Sequence, residues 1–357
     1  MHMHIPLYLR ACTFPLFTLL TFGGPQMRCA QVEPASTDTA QPAPPAPPGP
    51  VTSTDDQPYF GFNAKGTVNT ARQVQYANAF FDQIDPQVKR HMAVRVTGGT
   101  QSQETYGPDW TDDMIGDWAA LQKRQGVRFI YVVNGNDAPA NQAALIQRWL
   151  NAGVHFDFLE MMNEYYLPKF ANGDTRKAEV KQKITPEKYV DEILPAFWLE
   201  LDRFKLPYYL IFAPAKDNQS DDRMENWNQV VAAAVNGKYA SRDLNATIHL
   251  YLRGQASAGS FDYGQIDRLR ASLPKGRHIA VTEAGIIDPS MDLQQMGPAT
   301  IAHERSILAH LRPGDYLLDQ VLYNPGKRNN TTILSDLNGG ETAKGKAMLQ
   351  FIRGGLK

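Results

Sequence analysis

Eight short apolar runs that alternate with helix-like segments dominate the sequence after Pro58. They are rich in β-branched and aromatic residues, and several are apolar throughout, which is typical of parallel strands covered on both faces. The runs occupy residues 59–63, 92–97, 129–133, 156–161, 208–213, 247–252, 278–283 and 316–323. This alternation predicts an α/β fold, namely a (β/α)8 TIM barrel that spans residues 59–357.

A doubly wound open sheet is the alternative architecture. Its nucleotide-binding form needs a glycine-rich phosphate turn after the first strand, and Asn63-Ala64-Lys65-Gly66 does not match one. We therefore favour the barrel.

The segments between the runs carry signals for the start and end of helices. Thr111 suits the N-cap of a helix that ends at Gly126. Thr185, followed by Pro186, begins another, and Pro195 inside it predicts a kink.

The first 58 residues do not belong to the barrel pattern. Residues 1–30 contain an apolar run, 13–22, behind Arg10, which is the layout of a secretory signal peptide. Residues 31–58 are rich in Pro, Ala, Ser and Thr and predict a disordered linker. We therefore expect a secreted or periplasmic protein without a transmembrane span after removal of the signal. Lipid anchoring through Cys29 is a second option, although the residues before it lack the small, aliphatic character of a lipidation signal.

Composition argues against several classes of function. Thirty-six Lys and Arg residues against 37 Asp and Glu give a net charge of -1, without the basic excess that nucleic-acid binding requires. The two cysteines, Cys12 and Cys29, precede the barrel, so it has neither a disulfide framework nor a thiolate zinc site. Motifs of the HExxH and G-x-S-x-G kinds are absent. We expect no cofactor, no metal, no nucleic-acid partner and a monomer.

Two glutamates end predicted strands that are otherwise apolar. Asn163 and Glu164 follow strand four, and Glu283 ends strand seven. Catalytic groups of TIM barrels lie at these strand ends, and a carboxylate there is costly unless it is paired or functional. Glu160 is a rival, but it shares strand parity with Glu164 and would lie deeper in the barrel. We therefore favour Glu164 and Glu283 as the catalytic pair.

Two further strands contribute polar residues. His249 and Tyr251 are two positions apart on strand six and so face the same side, and Arg95 lies near the end of strand two. Together with the strand-four and strand-seven motifs, they resemble clan A of the glycoside hydrolases, TIM-barrel enzymes with catalytic glutamates on these two strands. The His-x-Tyr pair resembles the cellulase-like members of that clan.

The resemblance implies a role for each residue. Glu164 would be the acid/base, Glu283 the nucleophile and Asn163 the partner of the sugar 2-hydroxyl. The other substrate-site residues that it implies are Arg95, His249 and Tyr251. From its place on strand six, we also expect Tyr251 to keep Glu283 ionised by a hydrogen bond. A core histidine at 249 and a purely structural ion pair at Arg95 remain the alternatives.

Strand eight departs from the clan pattern. Clan members usually present a tryptophan platform there, whereas this sequence has Gln320, Tyr323 and Asn324. We expect Tyr323 to take the place of the platform.

Residues in the loops after the strands offer weaker hypotheses. Several aromatic residues either stack on sugars or pack their own loops: Tyr106, Trp110, Tyr165, Tyr166 and Phe170. Four cations would suit an anionic glycan: Lys216, Arg253, Lys327 and Arg328.

The resulting hypothesis is a secreted glycoside hydrolase that degrades a polysaccharide or oligosaccharide by a retaining double displacement. A catalytically inactive glycan-binding TIM barrel is the alternative. A barrel enzyme that uses the two glutamates as a generic acid and base is a third reading.

Overall fold

The structure, a computed structural model of the chain, describes residues 57–167, 184–215, 226–254, 258–288, 290–323, 332–334 and 339–356. Within these residues, eight parallel strands close into a barrel in chain order, and the last strand pairs with the first. The predicted (β/α)8 fold class is therefore confirmed. The predicted signal peptide with Cys29, and the predicted linker up to residue 56, lie outside the described residues.

The strands are β1 (Tyr59–Asn63), β2 (Met92–Val96), β3 (Arg128–Val133), β4 (Phe156–Met161), β5 (Tyr208–Phe212), β6 (Leu244–Arg253), β7 (Ile279–Ile287) and β8 (Tyr316–Asp319). The helices are α1 (Thr70–Phe81), α2 (Pro86–Lys89), α3 (Gln101–Glu104), α4 (Asp112–Gln125), α5 (Pro139–Asn151), α6 (Pro186–Lys188), α7 (Leu194–Leu201), α8 (Trp227–Asn236), α9 (Gln265–Ala271), α10 (Leu293–Leu308) and α11 (Ala343–Arg353). All eight predicted strands are present; β6 and β7 are longer than predicted and β8 is shorter. None of the helices described is long and apolar enough to cross a membrane.

An aromatic layer fills the barrel interior near the starts of the strands. The rings of Phe158 and Tyr209 stack with centroids 3.8 Å apart, and those of Tyr59 and Tyr316 stack at 4.7 Å. All four side chains are buried. Because this layer closes the amino-terminal end of the barrel, the polar side chains of the interior are concentrated at the carboxyl ends of the strands.

Helix α4 has the predicted caps. The hydroxyl of Thr111 accepts a hydrogen bond from the Met114 amide at 3.2 Å, and Gly126 ends the helix with φ of 69°. Trp118 and Leu121 are fully buried, since helical spacing places them on one face.

The helical segment that starts after Thr185 is irregular where Pro195 predicts a kink. Between α6 and α7, five residues (Tyr189–Ile193) adopt a π-helical form. Proline lacks the amide hydrogen that an α-helix needs, so the hydrogen-bond pattern shifts just before it. The hydroxyl of Tyr189 donates to the Met161 carbonyl at 2.9 Å, which ties this segment to the end of β4.

Candidate active site

A fully buried arginine, Arg95 on β2, connects most of the polar residues at the carboxyl end of the barrel. Its Nε and Nη2 donate to the two oxygens of Glu160 at 2.7 and 2.9 Å. Nη1 donates to Glu283 at 2.6 Å and to Asn63 at 2.8 Å, while Nη2 also donates to Asn163 at 2.8 Å. Arg95 is therefore both a structural ion-pair partner and a direct contact of the predicted nucleophile.

A β-bulge in β7 turns Glu283 toward this network. Along β6, Ile248 pairs with Val281 but the next residue, His249, pairs with Glu283, so Thr282 is an extra residue in β7. Strand pairing with β8 shows the same offset between Val281 and Ala284. Such a bulge lets two consecutive side chains point inward. The hydroxyl of Thr282 contacts Glu160 at 3.2 Å, and Glu283 reaches Arg95.

The environment of Glu283 favours its ionised form. Burial by itself raises the pKa of this carboxyl group, but His249, Arg95 and a hydrogen bond from the Tyr251 hydroxyl outweigh burial and lower the pKa to about 2. The Tyr251 pKa is in turn raised well above its usual value, first by burial and then by Glu283. The Tyr251 hydroxyl therefore keeps its proton and donates a hydrogen bond to Glu283.

Glu164 sits in a strained turn directly after β4. Glu164 and Met162 both have left-handed backbone conformations, with φ of 48° and 70°. Non-glycine residues in this region cost of the order of 1 kcal/mol and cluster at functional sites. The side chain of Glu164 is 14% exposed, so it is accessible from the open end of the barrel, and its Oε1 lies 3.2 Å from the Tyr166 hydroxyl.

His249 lies among three carboxylates. Its Nδ1 is 3.2 Å from Glu164 Oε1 and 3.9 Å from Glu283 Oε2, and its Nε2 is 3.6 Å from Glu160 Oε1. Burial lowers the pKa of His249, but Glu283, Glu160 and Glu164 outweigh burial and raise the pKa to about 9. These contacts favour the protonated form of His249, which offsets part of the negative charge of the cluster.

The two predicted catalytic glutamates are close to each other. Through their common neighbour His249, Glu164 Oε1 and Glu283 Oε2 lie within about 7 Å, the sum of the two distances. Carboxyl pairs lie about 5 to 5.5 Å apart in retaining glycosidases and about 6.5 to 9.5 Å apart in inverting ones, so this upper bound admits both spacings. Glu160 occupies a different position: it is fully buried and bound by Arg95, deeper than Glu164, as strand parity predicts.

Asn163 is fixed by its neighbours yet keeps one donor available. Its Oδ1 accepts from Arg95, and its backbone carbonyl accepts from the Gln103 side chain. The Nδ2 atom is buried and has no hydrogen-bond partner among the described residues. An amide donor held in this way is suited to bind a ligand oxygen.

The ring of Tyr323 is not exposed beside the catalytic glutamates. Its side chain is 1% exposed, and its ring packs edge-on against Tyr76 of α1 at 5.4 Å. Tyr323 is buried in this way because β8 ends at Asp319 and Tyr323 follows four residues later, after the chain has left the barrel wall. Tyr323 therefore packs as a core residue, and a sugar platform needs an exposed ring.

Three of the loop aromatics also pack internally. Trp110, Tyr165 and Tyr166 are almost fully buried, and Trp110 contacts Trp149 with ring centroids 4.8 Å apart. Phe170, Asn324 and the cations Lys216, Lys327 and Arg328 lie outside the described residues.

Sequence reasoning missed two residues that organise the site. Asn63 accepts from Arg95 and donates to the carbonyls of Thr282 and Asp319 at 2.7 and 3.1 Å, which connects β1 to β7 and β8. Asn63 is the polar last residue of the otherwise apolar β1, and this pattern indicates a site residue. Gln103 comes from the short helix α3, and no sequence pattern indicates that its amide reaches Asn163.

Comparisons with known proteins agree with the fold. No protein-family model and no curated protein matches the sequence. The structure is similar to a family 39 glycoside hydrolase from Bacteroides cellulosilyticus WH2, with a TM-score of 0.52 and 12% identity. This match covers 83% of this chain and 64% of that chain.

A second similar structure is a 4-O-α-L-rhamnosyl-β-D-glucuronidase from Fusarium oxysporum 12S. The TM-score is 0.52 and the identity 9%, over 84% of this chain and 70% of that chain. Both neighbours are glycosidases by name, and at 12% and 9% identity the similarity shows the barrel fold alone. Because one barrel fold supports many chemistries, the activity has to be argued from the site.

Proposed function

We propose that the protein is a secreted glycoside hydrolase that cleaves glycosidic bonds in an oligosaccharide or polysaccharide with retention of anomeric configuration. The observation that carries this proposal is the placement of Glu164, directly after β4, and Glu283, in the middle of β7, no more than about 7 Å apart. We propose retention because the surroundings of Glu283 keep it ionised, as a nucleophile must be. The apolar amino-terminal segment supports export.

Each glutamate has an environment that suits its role in a double displacement. In the first step, a Glu283 oxygen attacks the anomeric carbon while the bond to the leaving oxygen breaks and Glu164 donates a proton to that oxygen. In the second step, ionised Glu164 accepts a proton from water, the water oxygen bonds to the anomeric carbon, and Glu283 leaves as a carboxylate.

The neighbouring residues support this sequence of steps. Arg95 and Tyr251 stabilise the Glu283 carboxylate, both before attack and when it leaves. The unpartnered Nδ2 of Asn163 would donate to a hydroxyl of the sugar. The side chain of Glu164 is 14% exposed, so it can reach a leaving group at the open end of the barrel.

A glycan-binding barrel without catalysis is the weaker candidate. Binding alone does not require two carboxylates at matched depth, nor the cost of burying two ion pairs around Arg95. If Glu164 and Glu283 instead act as a generic acid and base, the same placement of the two carboxyl groups is expected, but retention of anomeric configuration is not.

The experiment that tests the proposal is a screen of the purified protein against a panel of polysaccharides with detection of new reducing ends, beside the Glu283→Gln variant. We expect hydrolysis by the wild type and none by the variant. A blank panel for the wild type would favour the glycan-binding alternative.

Stereochemistry tests the mechanism separately. On the substrate found in the screen, NMR of the anomeric proton early in the reaction should show product with the configuration of the substrate. First-formed product of inverted configuration would refute the double displacement.

A further inference from the structure

The turn that carries Glu164 has a shape that its own sequence does not favour. Met162 and Glu164 have φ of 70° and 48°, and neither position holds glycine or asparagine. A residue of this kind keeps a left-handed conformation only where the surrounding structure holds it there. The contacts around the turn are therefore part of how the site is built.

The residue before Glu164 is held by the loop that follows β2. The side-chain amide of Gln103, on α3, donates to the Asn163 carbonyl, and both side chains are fully buried. Arg95 donates to Asn163 Oδ1 at 2.8 Å. Asn163 is thus fixed at its backbone and at its side chain.

The residue after Glu164 is held by the loop that follows β3. The hydroxyl of Tyr165, a fully buried residue, donates to Asn136 Oδ1 at 2.7 Å. A Cβ atom at Gly135 would lie 2.5 Å from this hydroxyl oxygen and 2.6 Å from Met162 Cγ. The loop after β3 can approach the turn this closely only because residue 135 is glycine.

A further hydrogen bond joins the two loops into one ring. Asn136 Nδ2 donates to the Gln103 carbonyl at 3.2 Å. The ring runs from Gln103 to Asn163, along the chain through Glu164 to Tyr165, and back through Asn136. We call Gln103, Asn136 and Tyr165 the turn clamp.

We propose that the turn clamp holds Glu164 in the conformation in which it acts as the acid/base, so that its three members are positioning residues. The inference rests on the proposed function and specifies how its site is held. The Glu164 carboxyl group is contacted by Tyr166 and His249, so the clamp acts on it through the backbone on either side. A change of φ at Glu164 moves the whole side chain, and a shift of about 1 Å in a catalytic group can cost about 100-fold in rate.

The predicted nucleophile is held by other residues. Arg95 and Tyr251 bind Glu283, and neither belongs to the clamp. Release of the clamp should therefore impair protonation of the leaving group and spare the attack of Glu283. Substrates whose leaving group needs a proton should lose kcat/KM, which reports the first step, while substrates whose leaving group departs unprotonated should not.

Tyr165→Phe tests this with the smallest change. The variant removes one hydroxyl and keeps the ring, and water can bind the half-buried Asn136 instead. The two substrates are an oligosaccharide of the sugar found in the polysaccharide screen and the dinitrophenyl glycoside of that sugar. We expect kcat/KM to fall about 10-fold or more on the oligosaccharide and less than about 2-fold on the dinitrophenyl glycoside.

Two further variants complete the set. Gly135→Ala keeps every hydrogen-bonding group of the clamp but displaces Tyr165, and it should show the same difference between the substrates. Tyr239→Phe is the matched control. It removes another buried tyrosine hydroxyl, which donates to the Val190 carbonyl at 2.6 Å, and it should leave kcat/KM on both substrates unchanged.

The outcomes separate the inference from the proposed function. Equal losses on both substrates, or no loss on either, in Tyr165→Phe and Gly135→Ala overturn the positioning role while the glycosidase remains. Because the two variants change the clamp in different ways, either one that folds decides the question.

If the wild type hydrolyses neither substrate, the proposed function fails, and crystal structures of the wild type and the two variants decide the inference. Displacement of Glu164 Oε1 from its place 3.2 Å from His249 Nδ1 supports the clamp, and an unchanged position rejects it.

Discussion

Glu283 and Glu160 both bind Arg95, yet their replacement should have different consequences. Glu283→Gln removes the nucleophile and should lower kcat by about 10³-fold or more. In this variant Arg95 keeps both hydrogen bonds to Glu160, so the free energy of unfolding should fall less than it does in Glu160→Gln. Glu160→Gln leaves a fully buried guanidinium without its bidentate partner, and breaking such a pair costs about 3 to 5 kcal/mol.

Activity assays and urea unfolding of both variants measure this difference. The assignment of roles fails if Glu283→Gln keeps turnover within 10-fold of the wild type, or if it unfolds at lower urea than Glu160→Gln.

The loss of turnover in Glu164→Ala should depend on how much protonation the leaving group needs. Glu164→Ala removes the proton donor, so substrates with poor leaving groups should lose most of their turnover, while nitrophenyl glycosides of the same sugar need little protonation and should be spared in the first step. Steady-state kinetics on both kinds of substrate measure the effect.

Azide provides the control for this variant. It attacks the glycosyl enzyme without a general base, so added azide should accelerate release of the sugar from Glu164→Ala but not from the wild type. Equal losses on both kinds of substrate would argue against Glu164 as the acid.

At the scale of elements, the sequence predicts where the eight strands lie but not where each strand ends. Apolar runs locate the barrel strands because burial on both faces requires them, and strand parity placed Glu160 below Glu164. Parity fails at the bulge in β7, where Thr282 and Glu283 both face inward, and no residue type there indicates an extra position. The burial of Tyr323 also depends on where a strand ends, because β8 ends at Asp319, four residues before it.

The site network was only partly visible in the sequence. Strand alternation predicts that His249 and Tyr251 share one face, and Arg95 is predicted from its place near the end of strand two. The left-handed turn at Met162 and Glu164 is not predicted, since its conformation is imposed by tertiary contacts rather than by glycine or asparagine.

Close packing between β1 and β2 gives an element-scale prediction. A Cβ atom at Gly61 would lie 1.9 Å from the Ala93 carbonyl oxygen, a contact that only backbone movement relieves. Gly61→Ala should therefore destabilise the barrel by several kcal/mol. Gly116 in α4 has open space around its Cα, so Gly116→Ala should stabilise by about 0.5 to 1 kcal/mol.

The pair is measured by urea unfolding under identical conditions. If the urea midpoints of both variants shift by the same amount in the same direction, the close approach of β1 to β2 does not account for the effect of Gly61→Ala.

At the scale of the whole molecule, buried titratable groups set the pH at which the fold is most stable. Glu283 has a pKa of about 2 against an ordinary value of 4.5, so its contribution is present above pH 4.5 and is lost as the pH falls toward 2. His249 has a pKa of about 9 against 6.5, so its contribution is present below pH 6.5 and is lost as the pH rises through 9.

Glu304 on α10 is a third buried titratable group. Burial and then the charge of Asp319 raise the pKa of Glu304 well above 4.5. Its contribution is complete below pH 4.5 and declines as the pH rises toward the pKa of the folded state. Burial lowers the pKa of His303 to about 4, so its contribution is present above pH 6.5 and is lost as the pH falls toward 4, which offsets the gain from Glu304 between pH 4.5 and 6.5. The free energy of unfolding should therefore be greatest between about pH 4.5 and 6.5 and fall on both sides, most steeply above pH 6.5, where His249 and Glu304 act together. Urea midpoints between pH 3 and 10 test this, and His249→Gln and Glu304→Gln should each flatten the alkaline limb. A midpoint that rises steadily from pH 5 to 9 would contradict the assignment of His249 as a buried cation.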